Sequence, residues 1–388
     1  MCQATSNGCA YATRPPLSSL VSTIALGGGC FTLQSDPDPE SLPVRGIVSY
    51  ALDHGIRTFD TSPYYGPSEA LLGDAFAQPN ITESFSRQDY ILMTKVGRIA
   101  AAEFDYSPSW IRQSVNRSLE RLQTSYLDVV FCHDIEYVTD EDALGAIEVL
   151  LQLRGEGVLR YVGISGYPVD KLIRVANMAR MRFGQPLDAV QCWAQLTLQN
   201  SNLEAGIRRL RAAGVDCVFN SSPLGVGMLR SHGVPIGGLG DWHPAPEGLR
   251  HVIRQASDLV ETKGVDLATL ALRYSVSRIM ILPDRTPGAS TIFAARSVEE
   301  LEENMAAIKT ILREEDETEE EVIEKFGDIR DMKCVNMTQL EKDLPIFREV
   351  QSTLAHWIGY TFTSPEKEWD VELKRMIAVT AADATGKL

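Results

Sequence analysis

Four polar side chains in the first third of the sequence have the chemistry to move a proton at a carbon–oxygen bond. Asp60, Lys95 and His133 each close an apolar run, and Tyr65 follows Asp60 in the next loop. A phenol, with a pKa of about 10, is a poor acid or base at neutral pH. A buried ammonium stabilises phenolate and lowers that pKa, and a carboxylate keeps the ammonium charged and oriented. With an imidazole donating to the reacting oxygen, the set predicts proton transfer coupled to hydride transfer at a carbonyl or carbinol carbon.

Each of these residues also has a structural interpretation when it is taken alone. Asp60 could cap the following helix, and Tyr65 could be a packed surface aromatic. Lys95 could extend from a strand end to solvent, and His133 could be a core histidine with satisfied hydrogen bonds. The functional interpretation is favoured because the residues follow three consecutive predicted strands.

The elements that must position these residues are short, continuously apolar runs, which are typical of parallel strands buried on both faces. The predicted strands are residues 23–26, 56–60, 90–94, 127–132, 161–165, 189–193, 215–220 and 290–293. Helical patterns lie between them at residues 109–122, 140–154, 204–213 and 247–263. Eight strands alternating with helices predict an α/β fold, a closed (β/α)8 TIM barrel, whose site forms where the strands end. An open doubly wound sheet would carry a GxGxxG turn, and GGGC at residues 27–30 is not that motif.

The sequence divides into three predicted segments. Residues 1–16 are polar and are expected to form a flexible tail, and residues 17–310 form the barrel. Residues 311–388 are expected to form an acidic, mainly helical C-terminal extension that packs on the barrel or on a partner. After an acidic run at residues 314–324, apolar side chains recur at helical spacing, namely Leu340, Leu344, Phe347, Val350, Leu354, Trp357 and Ile358.

Composition excludes several classes of function. A net charge of −15 and a pI near 4.9 argue against binding to nucleic acid or to an anionic membrane. No apolar run approaches the length of about 20 residues that spans a bilayer, and the N-terminus lacks the apolar stretch of a secretory signal. Seven cysteines with no CxxC pair predict neither a disulfide framework nor a metal site. We therefore expect a reducing compartment, the cytoplasm.

Several motifs resemble the aldo-keto reductase superfamily. The segment GIRTFDTSPYYG at residues 55–66 is similar to its signature, and shorter matches run through most of residues 20–310. The resemblance implies a catalytic tetrad of Asp60, Tyr65, Lys95 and His133, with Tyr65 as the general acid/base. CHDIE at residues 132–136 and DWHPAP at residues 241–246 are similar to a sugar 1-dehydrogenase branch, with an extension like that of fungal members.

That branch implies oxidation of an aldose at C1 to an aldonolactone, with D-arabinose favoured and L-galactose or L-fucose as alternatives. Tyr64, Trp242 and His243 are the substrate-side candidates, although Trp242 and His243 could equally anchor a packed loop. We expect a monomer or weak homodimer. The alternatives are an NADPH-dependent aldehyde or ketone reductase and a nucleotide-binding regulatory subunit on the same fold.

The resemblance also implies a nicotinamide cofactor. The matching positions are Ser165, Gln191, Ser222, Leu224, Glu300, Glu303 and Asn304. Gly166 stands where many relatives have asparagine, so one hydrogen bond to the carboxamide is in doubt. Ser221 stands where an aromatic often stacks on the nicotinamide, so that stack is absent or supplied elsewhere, for example by Trp193. Glu300 would repel a 2′-phosphate and accept from a ribose hydroxyl, which favours NAD over NADP, although Arg296 lies nearby in sequence.

Overall fold

The computed structural model describes residues 14–231, 233–235, 237, 240–282, 288–313, 334–366 and 369 of the 388-residue chain. Eight parallel strands close into a barrel. They are β1 (Ile24–Gly27), β2 (Thr58–Asp60), β3 (Ile91–Val96), β4 (Leu127–Cys132), β5 (Leu159–Gly166), β6 (Ala189–Trp193), β7 (Cys217–Ser221) and β8 (Gly288–Phe293). Each strand pairs with the next, and β8 pairs with β1, so the predicted (β/α)8 barrel is confirmed.

All eight predicted strands are present, with bounds within two residues of those expected. The largest functional difference is in β3, which continues to Val96 and so contains Lys95. The apolar run was expected to end at residue 94, but the hydrogen-bonded ladder continues through the lysine. Gly97, with a φ of 98°, follows and turns the chain away from the barrel.

Helices surround the barrel and follow its strands. They are α1 (Val44–Asp53), α2 (Ser68–Phe76), α3 (Pro79–Thr82), α4 (Pro108–Arg121), α5 (Asp140–Gly155), α6 (Val169–Phe183), α7 (Asn202–Ala212), α8 (Glu247–Glu261), α9 (Leu267–Ile281), α10 (Val298–Ile311) and α11 (Met337–Leu354). The four predicted barrel helices are confirmed within two residues. Helix α9 was not predicted because eleven of its 15 residues are buried, which removes the polar face that marks an amphipathic helix.

The core has an inner and an outer part. Inside the barrel, Met93, Phe131, Tyr161 and Phe219 fill the space between the strands, whereas a larger cluster lies between strands and helices. Leu17 joins the inner cluster from a 3-10 turn at the N-terminal ends of the strands. A barrel filled in this way is a packed scaffold, which leaves its C-terminal end for a site.

The predicted N-terminal tail is shorter than expected within the described residues. Arg14 forms an ion pair with Asp188 at 2.5 Å, and the carbonyl of Pro15 accepts a hydrogen bond from Tyr161 Oη at 2.7 Å. These contacts attach residues 14–16 to the end of the barrel at which the strands begin. Residues 1–13 lie outside the described part of the chain.

The C-terminal extension packs on the barrel through α11, which contacts α8, α9 and α10. A bidentate ion pair joins Arg273 of α9 to Asp343 of α11, with both N···O distances 2.8 Å. The predicted helical spacing is wrong beyond Leu354, because Ala355 has a φ of 49° and ends the helix. Ile358 is consequently 41% exposed. The acidic run at residues 314–324 and the end of the tail lie outside the described residues.

Residues 355–366, which we name the C-terminal strap, cross the C-terminal end of the barrel. The amide of Gly359 donates to the carbonyl of Gln199 at 2.8 Å, and the amide of Phe362 donates to Tyr167 Oη at 2.9 Å. The strap therefore contacts loops that follow β5 and β6, on the side where the resemblance implies a sugar would enter.

Membrane-spanning helices and clusters of metal ligands are both absent from the described residues. None of the helices there is long and apolar enough to cross a bilayer. No group of three metal-ligating side chains is found among the same residues. Cys30, Cys132, Cys192 and Cys217 are buried free thiols, and each lies in the barrel or against it.

Candidate active site

Lys95 lies at the centre of the polar cluster at the C-terminal end of the barrel. Its Nζ donates to both carboxylate oxygens of Asp60, at 2.9 and 2.7 Å, and to the carbonyl of Thr61 at 2.9 Å. The two side chains meet because β2 and β3 are adjacent, with Asp60 in register with Met93. Gln191 Nε2 also donates to Asp60 Oδ2, at 3.2 Å. The ammonium and carboxylate are thus both fixed in position.

On each partner of the buried pair, burial and ion pairing shift the pKa in opposite directions. Burial lowers the pKa of Lys95, but Asp60 and Tyr65 outweigh that effect and leave it above its ordinary value. Burial raises the pKa of Asp60, against which the contacts with Lys95 and Gln191 act. Three hydrogen bonds from the ammonium stabilise this ion pair, which is nearly inaccessible to water.

Tyr65 lies against both Lys95 and His133. Lys95 Nζ is 5.0 Å from the centroid of the Tyr65 ring, and the rings of Tyr65 and His133 are 5.9 Å apart and perpendicular. Burial raises the pKa of Tyr65, and Asp60 adds to the rise while Lys95 opposes it. The sequence predicted that Lys95 would lower the pKa of Tyr65. This prediction is wrong, because burial of the phenol raises the pKa by more than the Lys95 ammonium lowers it. The phenol is protonated at neutral pH and is placed to act as an acid or, at higher pH, as a base.

His133 is held as a neutral imidazole with one defined tautomer. Its Nδ1 lies 3.0 Å from Ser62 Oγ, which already accepts the amide N–H of Tyr64 at 3.1 Å. We assign the tautomer in which the serine donates to Nδ1 and the ring proton is on Nε2. Burial lowers the pKa of His133 to about 3. The site therefore offers a neutral N–H donor throughout the working range of pH.

An arginine and a carboxylate beside this imidazole were not predicted as site residues. Arg98 Nη1 donates to Asp134 Oδ2, and its guanidinium lies 4.0 Å from the centroid of the Tyr64 ring. The ring of Tyr64 is 5.9 Å from that of His133, so this substrate-side candidate does lie at the site. Arg98 begins a two-stranded hairpin after β3, a feature that has no apolar pattern to reveal it.

The two other substrate-side candidates differ in placement. Trp242 is 40% exposed, and its Nε1 donates to the carbonyl of Gln34 at 3.1 Å; Gln34 Nε2 in turn lies 3.3 Å from Tyr64 Oη. Trp242 therefore borders the same opening as Tyr64. His243 is buried, with its ring nitrogens bonded to the carbonyl of Gly225 and the amide of Ala245. Because neither nitrogen remains for a sugar, His243 is a loop anchor, one of the two alternatives considered from the sequence.

Two of the predicted cofactor residues form a place for a carboxamide. Ser165 of β5 and Gln191 of β6 are in register across adjacent strands. Gln191 Oε1 is buried and has no hydrogen-bond partner among the described residues, while its Nε2 is held by Asp60. An unpartnered buried acceptor calls for an N–H donor, which the amide of a nicotinamide provides. These residues fit that cofactor.

The glycine at position 166 has a physical explanation. A Cβ at this position would lie 2.4 Å from Glu136 Oε2, so a side chain there would require the Glu136 carboxyl group to move. Glu136 Oε1 accepts from the amide of Tyr167 at 3.0 Å and from Ser364 Oγ of the strap at 2.9 Å. Burial, with Asp134 nearby, raises the pKa of Glu136 to about 8. The carboxyl group thus occupies the space that an asparagine at position 166 would need.

Position 221 carries a serine where many relatives have an aromatic residue. Ser221 is buried, and its Oγ lies 3.5 Å from the carbonyl of Cys192. Trp193, the residue considered as a substitute, packs against Tyr167 with ring centroids 4.3 Å apart. The two rings are tilted by 37° to one another.

The loop after β7 carries the predicted phosphate-binding residues. Ser222, Gly225, Val226 and Gly227 all have positive φ values, between 57° and 89°. The amide of Gly225 donates to the carbonyl of Ser222 at 2.9 Å, which closes a tight turn around Leu224. Such left-handed loops bring backbone amides close to a ligand, as a pyrophosphate requires.

The region predicted to bind the adenosine is more positive than the sequence indicated. Glu300 Oε2 accepts from the amide of Arg296 at 3.0 Å and lies 3.6 Å from its Nε. Arg230, from the loop after β7, is a second guanidinium near both groups; burial and Arg296 lower its pKa. Glu303 is exposed, and Asn304 Nδ2 lies 3.5 Å from the carbonyl of Ala294.

Comparison with known proteins agrees with this geometry. A model of the Aldo/keto reductase family matches residues 23–323. The chain belongs to the aldo/keto reductase family. It is 43% identical over 260 residues to D-arabinose 1-dehydrogenase of Saccharomyces cerevisiae, covering 66% of this chain and 76% of that protein.

Two further relatives show the breadth of this aldo/keto reductase's similarity. L-galactose dehydrogenase of Arabidopsis thaliana is 35% identical over 264 residues, covering 67% of this chain and 76% of that protein. A putative voltage-gated potassium channel subunit beta of Schizosaccharomyces pombe is 26% identical over 342 residues, covering 83% of this chain and 92% of that protein. The family consists of oxidoreductases that use nicotinamide cofactors, and this chain is an oxidoreductase of that kind.

Proposed function

We propose that this aldo/keto reductase oxidises an aldose at C1 to the aldonolactone, with NAD as the hydride acceptor. The observation that carries the proposal is the chain from Asp60 through Lys95 to Tyr65, facing the Nε2–H of His133. Such a chain places a phenol and an N–H donor around one substrate oxygen. Similarity to the yeast and plant sugar dehydrogenases supports an aldose as substrate. D-arabinose is the first candidate, followed by L-galactose and L-fucose.

In the proposed reaction, the chain's residues act on the anomeric hydroxyl. His133 donates its Nε2–H to O1 and fixes the oxygen, while Tyr65, as phenolate, accepts the O1 proton. The C1–O1 bond then becomes the lactone carbonyl, and the ring oxygen stays bonded to C1. When bound, the nicotinamide accepts the hydride that leaves C1. Lys95 stabilises the phenolate, and Asp60 holds Lys95 in place.

The preference for NAD is supported by Glu300. A carboxylate there accepts a hydrogen bond from a ribose hydroxyl and repels a 2′-phosphate. Arg230 and Arg296 are the observations that favour the second candidate, an NADPH-dependent aldehyde or ketone reductase, because two guanidiniums attract a phosphate. The two functions share the tetrad and differ in cofactor and in direction.

The test of the proposed function is the absorbance of the reduced nicotinamide with purified protein. The substrates are D-arabinose, L-galactose and D-glucose, each with NAD or with NADP. We expect NAD reduction with D-arabinose or L-galactose and its loss in Tyr65→Phe. NADPH oxidation by simple aldehydes, with no activity on any sugar, would instead support the reductase. Nucleotide binding without turnover would support a regulatory subunit.

The cofactor preference is tested separately with Glu300→Arg. We expect this variant to bind NADP more tightly and NAD more weakly than the wild type, as measured by calorimetric titration of each nucleotide. Binding affinities that do not change would show that Glu300 lies away from the ribose.

A further inference from the structure

Asp134 and Arg98 form a buried ion pair directly beside the imidazole of His133. Their side chains are 3% and 16% exposed, and Arg98 Nη1 donates to Asp134 Oδ2. The same carboxylate oxygen is 3.5 Å from His133 Nε2, which is longer than a hydrogen bond. The Nε2–H therefore stays available for a substrate oxygen, and that oxygen would lie next to a carboxylate.

The backbone of Asp134 has a left-handed conformation. Its φ and ψ are 53° and 59°, a region that aspartate adopts more often than most residues with a side chain. This conformation, at the residue that follows His133, brings the carboxylate back to the imidazole. Left-handed residues other than glycine persist where the surrounding structure imposes them, and they cluster at ligand sites.

The hydrogen bonds of Arg98 and Asp134 indicate a different role for each of the two residues. The donors of Arg98 are directed at Asp134 and at the backbone, with Nη2 bonded to the carbonyl of Ala101 at 3.1 Å. Asp134 Oδ2 is engaged by Arg98, whereas no donor in the described part of the chain is bonded to Oδ1. Arg98 thus positions the carboxylate, and Asp134 retains an acceptor for a ligand.

We propose that Asp134 binds the C2 hydroxyl of the aldose and that Arg98 positions it. The inference rests on the proposed function, in which His133 holds O1. The hydroxyl on C2 is the nearest neighbour of O1 in an aldose, and a carboxylate beside the Nε2–H is placed to accept from it. A simple aldehyde has no hydroxyl there and gains nothing from Asp134. The pair therefore selects sugars over simple carbonyl compounds.

A purely structural role makes a different prediction. In that case, the pair only ties the hairpin after β3 to the loop after β4, and its loss would harm every substrate equally. Arg273 and Asp343 provide a matched control, since they form a buried arginine–aspartate pair that joins α9 to α11. Asp343→Asn is expected to lower the melting temperature without changing substrate preference.

The test compares Asp134→Asn with Asp343→Asn on two sugars. The sugars are D-arabinose and 2-deoxy-D-ribose, which is D-arabinose without the C2 hydroxyl. We expect Asp134→Asn to lower kcat/KM for D-arabinose by about 10- to 100-fold, the effect of losing a hydrogen bond to a charged group. For the deoxy sugar, we expect a change below about threefold, since the bond is absent there. Asp343→Asn should leave the ratio between the two sugars as in the wild type.

Variants of Arg98 provide a second test, which remains informative if Asp134→Asn folds poorly. Arg98→Met is expected to shift the ratio between the two sugars in the same direction, and Arg98→Lys to restore part of it. Equal losses on both sugars in Asp134→Asn and Arg98→Met would overturn the subsite while leaving the proposed function intact. A wild-type enzyme that is inactive on D-arabinose, L-galactose and L-fucose would overturn the proposed function, and the subsite with it.

Discussion

Two buried ion pairs in this molecule have similar chemistry and opposite surroundings. Lys95 and Asp60 meet at the open end of the barrel, whereas Arg273 and Asp343 meet between α9 and α11. Around Asp343 the protein supplies every contact: Arg273 binds both carboxylate oxygens, and Gln339 Nε2 donates to Oδ1 at 2.9 Å. The pair between the helices is complete without a ligand.

The pair in the barrel lies beside a buried polar atom that is not satisfied within the described part of the chain. Gln191, which donates to Asp60, leaves its own Oε1 without a partner among the described residues. The ring of Tyr65 lies 5.9 Å from that of His133, and both rings lie at the same end of the barrel. A buried polar group without a partner is unfavourable unless a ligand completes it. Asp60 and Asp343 each accept three hydrogen bonds, so the two pairs differ in the neighbouring Gln191 Oε1, which is left for a ligand.

Breaking the functional pair should give the largest effect on the reaction. In Lys95→Met, the phenolate loses its cation and Asp60 is left unpaired. We expect kcat/KM for the aldose to fall by about 10³-fold, within the range for a lost acid–base system. Steady-state kinetics of folded protein measures this. Lys171→Met, which removes a lysine paired with Asp140 at 2.7 Å outside the barrel mouth, is the matched control. A loss below tenfold in Lys95→Met would contradict the role of the pair.

Breaking the structural pair should affect stability alone. Arg273→Met leaves Asp343 buried and unpaired, and we expect the free energy of unfolding to fall by about 3–5 kcal/mol. Denaturant titration measures the loss, and kcat of the folded variant should stay within about twofold of the wild type. Replacing both partners, as in Arg273→Met with Asp343→Leu, should recover most of the stability because no charge is left buried. A large fall in kcat would show that α11 also positions the site.

The contrast between the two ion pairs also explains which features of the fold and the site could be predicted from the sequence. Continuous apolar runs gave all eight strands, and strand order then brought Asp60, Lys95 and His133 together. Whether a polar group has all its hydrogen bonds depends on contacts between residues that are distant in sequence. The pattern of apolar residues therefore did not predict the roles of Arg98 and Asp134 or the unpartnered Oε1 of Gln191. The pKa of Tyr65 was predicted in the wrong direction for the same reason, since the degree of burial is a property of the assembled site.

The pH dependence of kcat tests the protonation of individual groups at the site, Tyr65 and His133. Because the pKa of Tyr65 is raised and oxidation needs the phenolate, kcat for oxidation should rise with pH by up to about tenfold per unit below that pKa. His133 has a pKa of about 3, so no inflection should occur near 6.5. A pH profile of kcat from 5 to 10 measures both. An inflection near 6.5 that disappears in His133→Gln would contradict the neutral imidazole.

The smallest expected effect concerns the tautomer of His133. Ser62→Ala removes the hydroxyl that lies 3.0 Å from Nδ1, and the ring is then free to place its proton on either nitrogen. We expect kcat to fall by about three- to tenfold, corresponding to the net value of one hydrogen bond. Ser118→Ala is the control, since Ser118 Oγ is buried and has no partner among the described residues. Unchanged kcat in Ser62→Ala would show that the tautomer is fixed by another group.

The closure of the barrel between β1 and β8 has a consequence for synthesis on the ribosome. These strands come from opposite ends of the barrel segment, with Ile24 paired to Thr291. At about 5–20 residues per second, the edge of β1 stays open for roughly 10–50 seconds after it emerges. Open strand edges invite pairing between nascent chains. With four residues, β1 is among the shortest strands of the sheet. The strand edge that stays unpaired longest therefore exposes few backbone groups with which another nascent chain could pair.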